Sequence, residues 1–226
     1  MRAWVPSLFT SSNLMFGMLS IMATFNGDYN LAAVYIILAL VADGLDGRVA
    51  RAMGVSSDFG KELDSLCDVC SFGMAPGILI YELALKDLGM AGQAAAVVFA
   101  VCGALRLARF NINTTTVSGY FMGMPIPAGG CVVATFVLSG LAVPATVTAV
   151  GTVLFGYLMI STIRYPDFKG KGNPIAPSAA VVGVILGLAP AFISPSWQLI
   201  PFLAFFLYTM VGLANAVYRL FVPYPA

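Results

Sequence analysis

Four aspartates set the chemistry open to this chain. Asp43 and Asp46 lie three residues apart and Asp64 and Asp68 four apart, and six of the ten acidic residues fall between positions 43 and 68. Both spacings place the two carboxylates of a pair on one face of a helix. Only a short turn separates the pairs, so antiparallel helices bring all four together. Oxygen-only ligands suit a hard divalent cation such as Mg²⁺, Mn²⁺ or Ca²⁺ rather than a soft metal. Two such ions about 4 Å apart are a recurring device for phosphoryl transfer. The structural alternative is a salt-bridge network with Arg48, Arg51 and Lys61, against which stands the high cost of charge held in a membrane without a functional reason. Gly47 follows Asp46 directly, and with Ala50 and the facing Gly60 it leaves room for a flat ring or a phosphate near the backbone. The same small residues also favour close helix packing. Arg51 adds a forked donor suited to phosphate.

The elements that must carry these residues are membrane spans. The 226 residues hold 11 Lys/Arg and 10 Asp/Glu, 9% charged in all, with 60% hydrophobic residues and no His. Soluble domains are about 25% charged, so this composition excludes an ordinary soluble globule, and it excludes disorder as well. A net charge of +1 gives no footprint for nucleic acid. Without His there is no His general base, His metal site or Ser-His-Asp triad. Cys67 and Cys70 form a CxxC inside an apolar segment with no second such pair, which fits packing better than zinc or redox chemistry.

Spans of roughly 20 apolar residues are expected at 8–26, 30–53, 60–85, 90–112, 123–140, 144–163, 175–193 and 197–220. Turn residues mark the breaks, among them Asn26-Gly27-Asp28, Pro144 and Gly170-Lys171-Gly172-Asn173-Pro174. The first apolar segment precedes seven others and is read as a retained span, not a cleaved signal. With the N-terminus in the cytoplasm, every basic residue except Lys86 falls on the inner side, a strong positive-inside bias. The expectation is an all-α polytopic membrane protein of about eight helices, both termini cytoplasmic, forming a single membrane-embedded domain over 1–226.

The run Asp43-x-x-Asp46-Gly47-x-x-Ala50-Arg51, eight residues, then Gly60-x-x-x-Asp64-x-x-x-Asp68 resembles, without a departure, the signature of the CDP-alcohol phosphotransferases. The resemblance implies transfer of a phosphatidyl-type group from a CDP-linked donor to an alcohol, with release of CMP. It implies two divalent cations, Mg²⁺ or Mn²⁺, held by Asp43, Asp46, Asp64 and Asp68, with Asp68 also the general base. Asp43, Gly47, Ala50, Arg51 and Gly60 then line the CDP pocket, joined by Ser57 and by Thr10 and Asn13 from the Pro6-x-x-x-Thr10-x-x-Asn13 run. Four further stretches are similar to the integral-membrane phosphatidylserine synthases of this family: Ser71-Phe72-Gly73-Met74-Ala75-Pro76-Gly77, Leu105 to Asn111, Gly123-Met124-Pro125-Ile126-Pro127-Ala128 and Ile163 to Lys169. The likeness covers the core, about 6–175; two extra C-terminal helices, 175–220, match nothing. CDP-diacylglycerol and L-serine are thus the expected substrates, the active site faces the cytoplasm from the cell membrane amid membrane lipid, and relatives imply a homodimer. Arg106 and Arg109 share a helix face at i, i+3 and, with Asn111, offer a fork and an amide to serine. Snorkelling to lipid headgroups is their alternative role.

Two other readings stay open from the sequence. Another acceptor, glycerol 3-phosphate or inositol phosphate, keeps the reaction and changes the product. A cation transporter would also hold intramembrane carboxylates, but in two related halves, and after residue 87 the chain has only Asp167.

Overall fold

The structure is a computed structural model, and it describes residues 4–53, 58–112, 120–166 and 198–221. Helices α1 (Trp4–Phe25) and α2 (Tyr29–Met53) form an antiparallel pair closed by a turn at Gly27. A third helical segment then runs 58–88, followed by α5 (Met90–Ile112), α6 (Ile126–Ser139), α7 (Ala145–Ile160) and α8 (Leu199–Phe221). Tyr29–Asp46, Asp58–Leu88, Met90–Ile112 and Leu199–Tyr218 are long and apolar enough to cross a membrane. The chain is therefore an integral membrane protein by length and composition. The span expected at 175–193 lies outside the described residues.

The segment 58–88 is not one regular α-helix. It begins as α3 (Asp58–Asp68), widens into a π turn at Val69–Met74, resumes as α4 (Ala75–Ile80), widens again at Tyr81–Leu85 and tightens at Lys86–Leu88. Proline explains the first widening. Pro76 has no amide hydrogen, and its ring would collide with the carbonyl four residues back, so an undisturbed α-helix cannot pass through it. The helix re-registers just ahead and takes Pro76 into the first turn of α4, where a missing donor costs nothing. The result is a π turn directly after Asp68, the kind of irregularity that recurs at functional sites.

The helices α6 and α7 are shorter than expected. Their 14 and 16 residues span about 21 and 24 Å at 1.5 Å per residue. Pro125 and Pro144 start them. Just outside them lies a two-stranded antiparallel ribbon of β1 (Tyr120–Met122) and β2 (Arg164–Pro166), in which Phe121 faces Tyr165, and residues 123–125 and 161–163, inside the expected spans, are not helical. Gly123 N donates to Ile163 O at 2.8 Å and Met124 N to Leu158 O at 3.0 Å, which continues the ribbon to the helix ends. The all-α expectation is corrected to that extent.

Packing follows the logic of lipid, where tails are as apolar as leucine and helix contact depends on close backbone approach. Ala32, Ala33, Ala39, Ala75 and Ala134 are fully buried between helices, whereas Met15, Met18, Met22, Val97 and Val101 face outward. α1 packs along α2, α5 along α7, and α6 lies between α2 and α8.

Candidate active site

The two aspartate pairs meet as their spacing requires. One carboxylate oxygen each from Asp43, Asp64 and Asp68 lies within 4.8 Å of the others. α2 contributes the first, and α3, running antiparallel to it, contributes the other two. Like charges so close are tolerable only with a cation or protons among them. The donor set fits a hard divalent cation: it is all oxygen, and Asp64 Oδ1 is buried with no hydrogen-bond partner among the described residues.

Asp46 is held differently. Its Oδ2 accepts from Thr10 Oγ1 at 2.8 Å, and both residues are buried. Asn13, one turn along α1, donates from Nδ2 to Asp68 Oδ1 at 3.0 Å. Thr10 and Asn13, expected at the CDP pocket, are thus the groups that orient two of the four carboxylates. Ser71, on the π turn, donates from Oγ to Asn13 O at 2.9 Å and ties the third segment to the same stretch of α1. Asn13 keeps Oδ1 buried and without a partner among the described residues. Gly47, Ala50 and Arg51 lie in the last turns of α2 and Gly60 in the first turn of α3, while Ser57 lies outside the described residues.

Among the residues expected to meet serine, the two arginines separate. Arg109 Nη1 donates to Ile160 O at 2.6 Å, and Nη2 approaches the carbonyls of Ser161 at 2.9 Å, Met122 at 3.2 Å and Met159 at 3.3 Å. This guanidinium caps the C-terminal end of α7, whose last carbonyls lack intrahelical donors, and fastens β1 to it. The Arg109 guanidinium is thus engaged by four backbone carbonyls, a structural task beside the serine contact expected of it. Asn111 donates from Nδ2 to Ser65 Oγ at 2.9 Å and links α5 to α3.

Arg106 has no such carbonyl cage. It is only 5% exposed, its guanidinium carbon lies 5.0 Å from the centroid of Phe110, and Nε has no hydrogen-bond partner among the described residues. Asp68 lies within its electrostatic reach. A buried cation with an open donor, beside the carboxylate cluster, is equipped to receive an anionic group. Cys67 is buried and Cys70 half-buried, and both are free thiols, in keeping with packing.

Fold and site together define a membrane protein whose first three helical segments gather carboxylates able to hold a hard cation. A family model described as CDP-alcohol phosphatidyltransferase matches residues 3–165, and the chain belongs to that family. Its relatives include a CDP-diacylglycerol–serine O-phosphatidyltransferase of Helicobacter pylori J99, 39% identical over 221 residues, covering 94% of this chain and 91% of the relative. The enzyme of the same name from Bacillus subtilis 168 is 38% identical over 167 residues, 74% of this chain and 92% of the relative. An archaetidylserine synthase of Methanothermobacter thermautotrophicus is 38% identical over 174 residues, 76% and 73% of the two chains.

Sequence reasoning did not single out Tyr165 or Tyr208 at this site. Tyr165 is fully buried, and its ring packs against Tyr208 with centroids 5.3 Å apart. Only the position of Tyr165, next to a basic residue in a short run already noted at 163–169, hinted at it.

Proposed function

We propose that this protein transfers the phosphatidyl group of CDP-diacylglycerol to the hydroxyl of L-serine, releasing CMP and forming phosphatidylserine. One observation carries the reading: Asp68 belongs to the three-carboxylate cluster, is oriented by Asn13 and stands within reach of the buried Arg106. A nucleophile whose carboxylate rests on Arg106 has its hydroxyl near Asp68.

Asp43, Asp46, Asp64 and Asp68 would hold two divalent cations, Mg²⁺ or Mn²⁺, which supply neutralisation of the diphosphate charge and of the departing CMP. The residues themselves do the rest. Thr10 and Asn13 hold the Asp46 and Asp68 carboxylates in place. Gly47, Ala50, Arg51, Ser57 and Gly60 form the donor side, where small residues admit the nucleotide and Arg51 pairs with phosphate. Arg106 receives the serine carboxylate. Asp68 accepts the proton as the serine oxygen bonds to the lipid-bearing phosphorus, and the bond from that phosphorus to the CMP oxygen breaks. No His competes for the role of base.

The active site faces the cytoplasm of the cell membrane, on the argument of the basic residues, and the protein works as a homodimer surrounded by membrane lipid. The test is detergent-purified protein with CDP-diacylglycerol, Mn²⁺ or Mg²⁺, and labelled serine, glycerol 3-phosphate or inositol phosphate. Serine-dependent CMP release with labelled phosphatidylserine is expected. Label entering lipid from one of the other two alcohols, with serine inert, overturns the choice of acceptor.

A further inference from the structure

The helix α8 lies beyond the residues that the family model matches, yet it packs against β2 of the ribbon. The contacts run in a chain of aromatic rings. Arg106 rests on Phe110, and Phe110 tilts against Phe121 at 6.5 Å between centroids. Phe121 is the ribbon partner of Tyr165, and Tyr165 packs on Tyr208 of α8. α8 admits that ring at Gly212, where a Cβ would overlap the Tyr165 side chain. Tyr208 and Arg106 also interact electrostatically.

Two donors are stranded inside this enclosure. Tyr165 is fully buried with its hydroxyl unpartnered, and Arg106 Nε is buried and likewise unpartnered, among the described residues. A buried donor left without an acceptor costs roughly 1–3 kcal/mol, so two together imply a missing acceptor. Burial pushes the Tyr165 hydroxyl up in acidity constant, so it stays protonated and remains a donor. A carboxylate has about four lone-pair sites and takes several donors at once. The ammonium and hydroxyl of an amino alcohol cannot satisfy two donors in the same way.

We propose that Tyr165, with Tyr208 of α8 as its neighbour, forms the wall of the acceptor pocket that selects for a carboxylate on the acceptor, by adding a phenol donor to Arg106. This rests on the acceptor reading above and deepens it. The aspartates supply the metal chemistry, and Tyr165, at the end of the family match, together with α8 beyond it supplies the choice of alcohol.

The experiment uses the full-length enzyme in detergent and compares Tyr165→Phe and Tyr208→Phe with the unaltered chain, after checking that thermal unfolding is unchanged. Tyr165→Phe is expected to raise KM for serine about ten-fold or more, with KM for CDP-diacylglycerol unchanged. It should also narrow the preference for serine over ethanolamine, which lacks the carboxylate, by a similar factor. Tyr208→Phe should move the same two readouts in the same direction. If the unaltered enzyme uses serine but Tyr165→Phe keeps both its serine KM and its preference, the wall is misassigned and the broader reading survives. If the unaltered enzyme ignores serine, the broader reading itself fails. A fall in kcat with both KM values unchanged also overturns the proposal, since it would mark a role in the chemical step.

Discussion

At the scale of single residues, the four aspartates are not equivalent. Asp43 and Asp64 belong to the three-carboxylate cluster, while Asp46 and Asp68 each accept a hydrogen bond from a side chain of α1. Asp43→Asn, Asp46→Asn and Asp64→Asn are expected to weaken metal binding, so excess Mn²⁺ should restore part of the activity. Asp68→Asn should resist such rescue, because it loses a ligand and the proton acceptor together; equal rescue of all four would remove the base from Asp68. Outer partners of metal ligands are typically worth ten- to hundred-fold in affinity or activity. Thr10→Val should therefore raise the Mn²⁺ concentration for half-maximal activity by about that factor, and an unchanged Mn²⁺ titration would count against an orienting role. The arginines give a paired forecast. Arg106→Lys keeps the charge and loses the fork, so serine KM should rise roughly ten- to hundred-fold. Arg109→Lys should act on stability instead, lowering the midpoint of thermal unfolding, because four carbonyls lose their shared donor. The reverse assignment of these two effects would restore Arg109 to the acceptor pocket. The aspartates were legible in the sequence because helical periodicity alone brings i, i+3 and i, i+4 together. The different fates of Arg106 and Arg109 were not. Which of two arginines finds carbonyls depends on where α7 ends, some 50 residues away in the chain.

At the scale of elements, the irregular pieces matter most. Apolar length located the described helices, and Pro144 marked the start of α7, so most helix positions could be read in advance. The ribbon could not, since three-residue strands are too short to show an alternating pattern. Nor could the π turns, which depend on how the helix makes room for Pro76. Gly123 shows how tightly the ribbon is built. It sits at φ 76°, and a Cβ there would meet the carbonyl of Met159, Arg109 Nη2 at 2.8 Å and the carbonyl of Ser161 at 3.0 Å. A side chain at positive φ costs about 1–3 kcal/mol before any collision is counted. Gly123→Ala should thus lower the thermal midpoint in detergent and reduce serine turnover, with Mn²⁺ affinity little changed. Normal stability in that variant would mean that the ribbon is not fastened as described.

At the scale of the whole molecule, the proposed orientation rests on counting charges rather than on contacts. Lys86, paired with Glu82 at 2.7 Å, lies at the end of the third segment opposite Lys61. In intact cells Lys86→Cys is expected to react with an impermeant maleimide, and Lys61→Cys only after permeabilisation. The opposite pattern would turn the protein over in the membrane and put the active site outside. Cys67, Cys102 and Cys131 are buried and Cys70 is half-buried, so labelling is scored against the unaltered chain.

The seating of the Tyr165 ring where Gly212 has no side chain also bears on biogenesis. The ring is seated only when α8 has come alongside, and α8 leaves the ribosome after every other element of the site. Thr10 and Asn13, by contrast, emerge within the first helix to enter the membrane. The carboxylate cluster can therefore assemble on a partly translated chain while the pocket for the alcohol is still open at one side. A ribosome stalled before α8 would leave a chain that grips nucleotide and metal yet has no defined place for an acceptor.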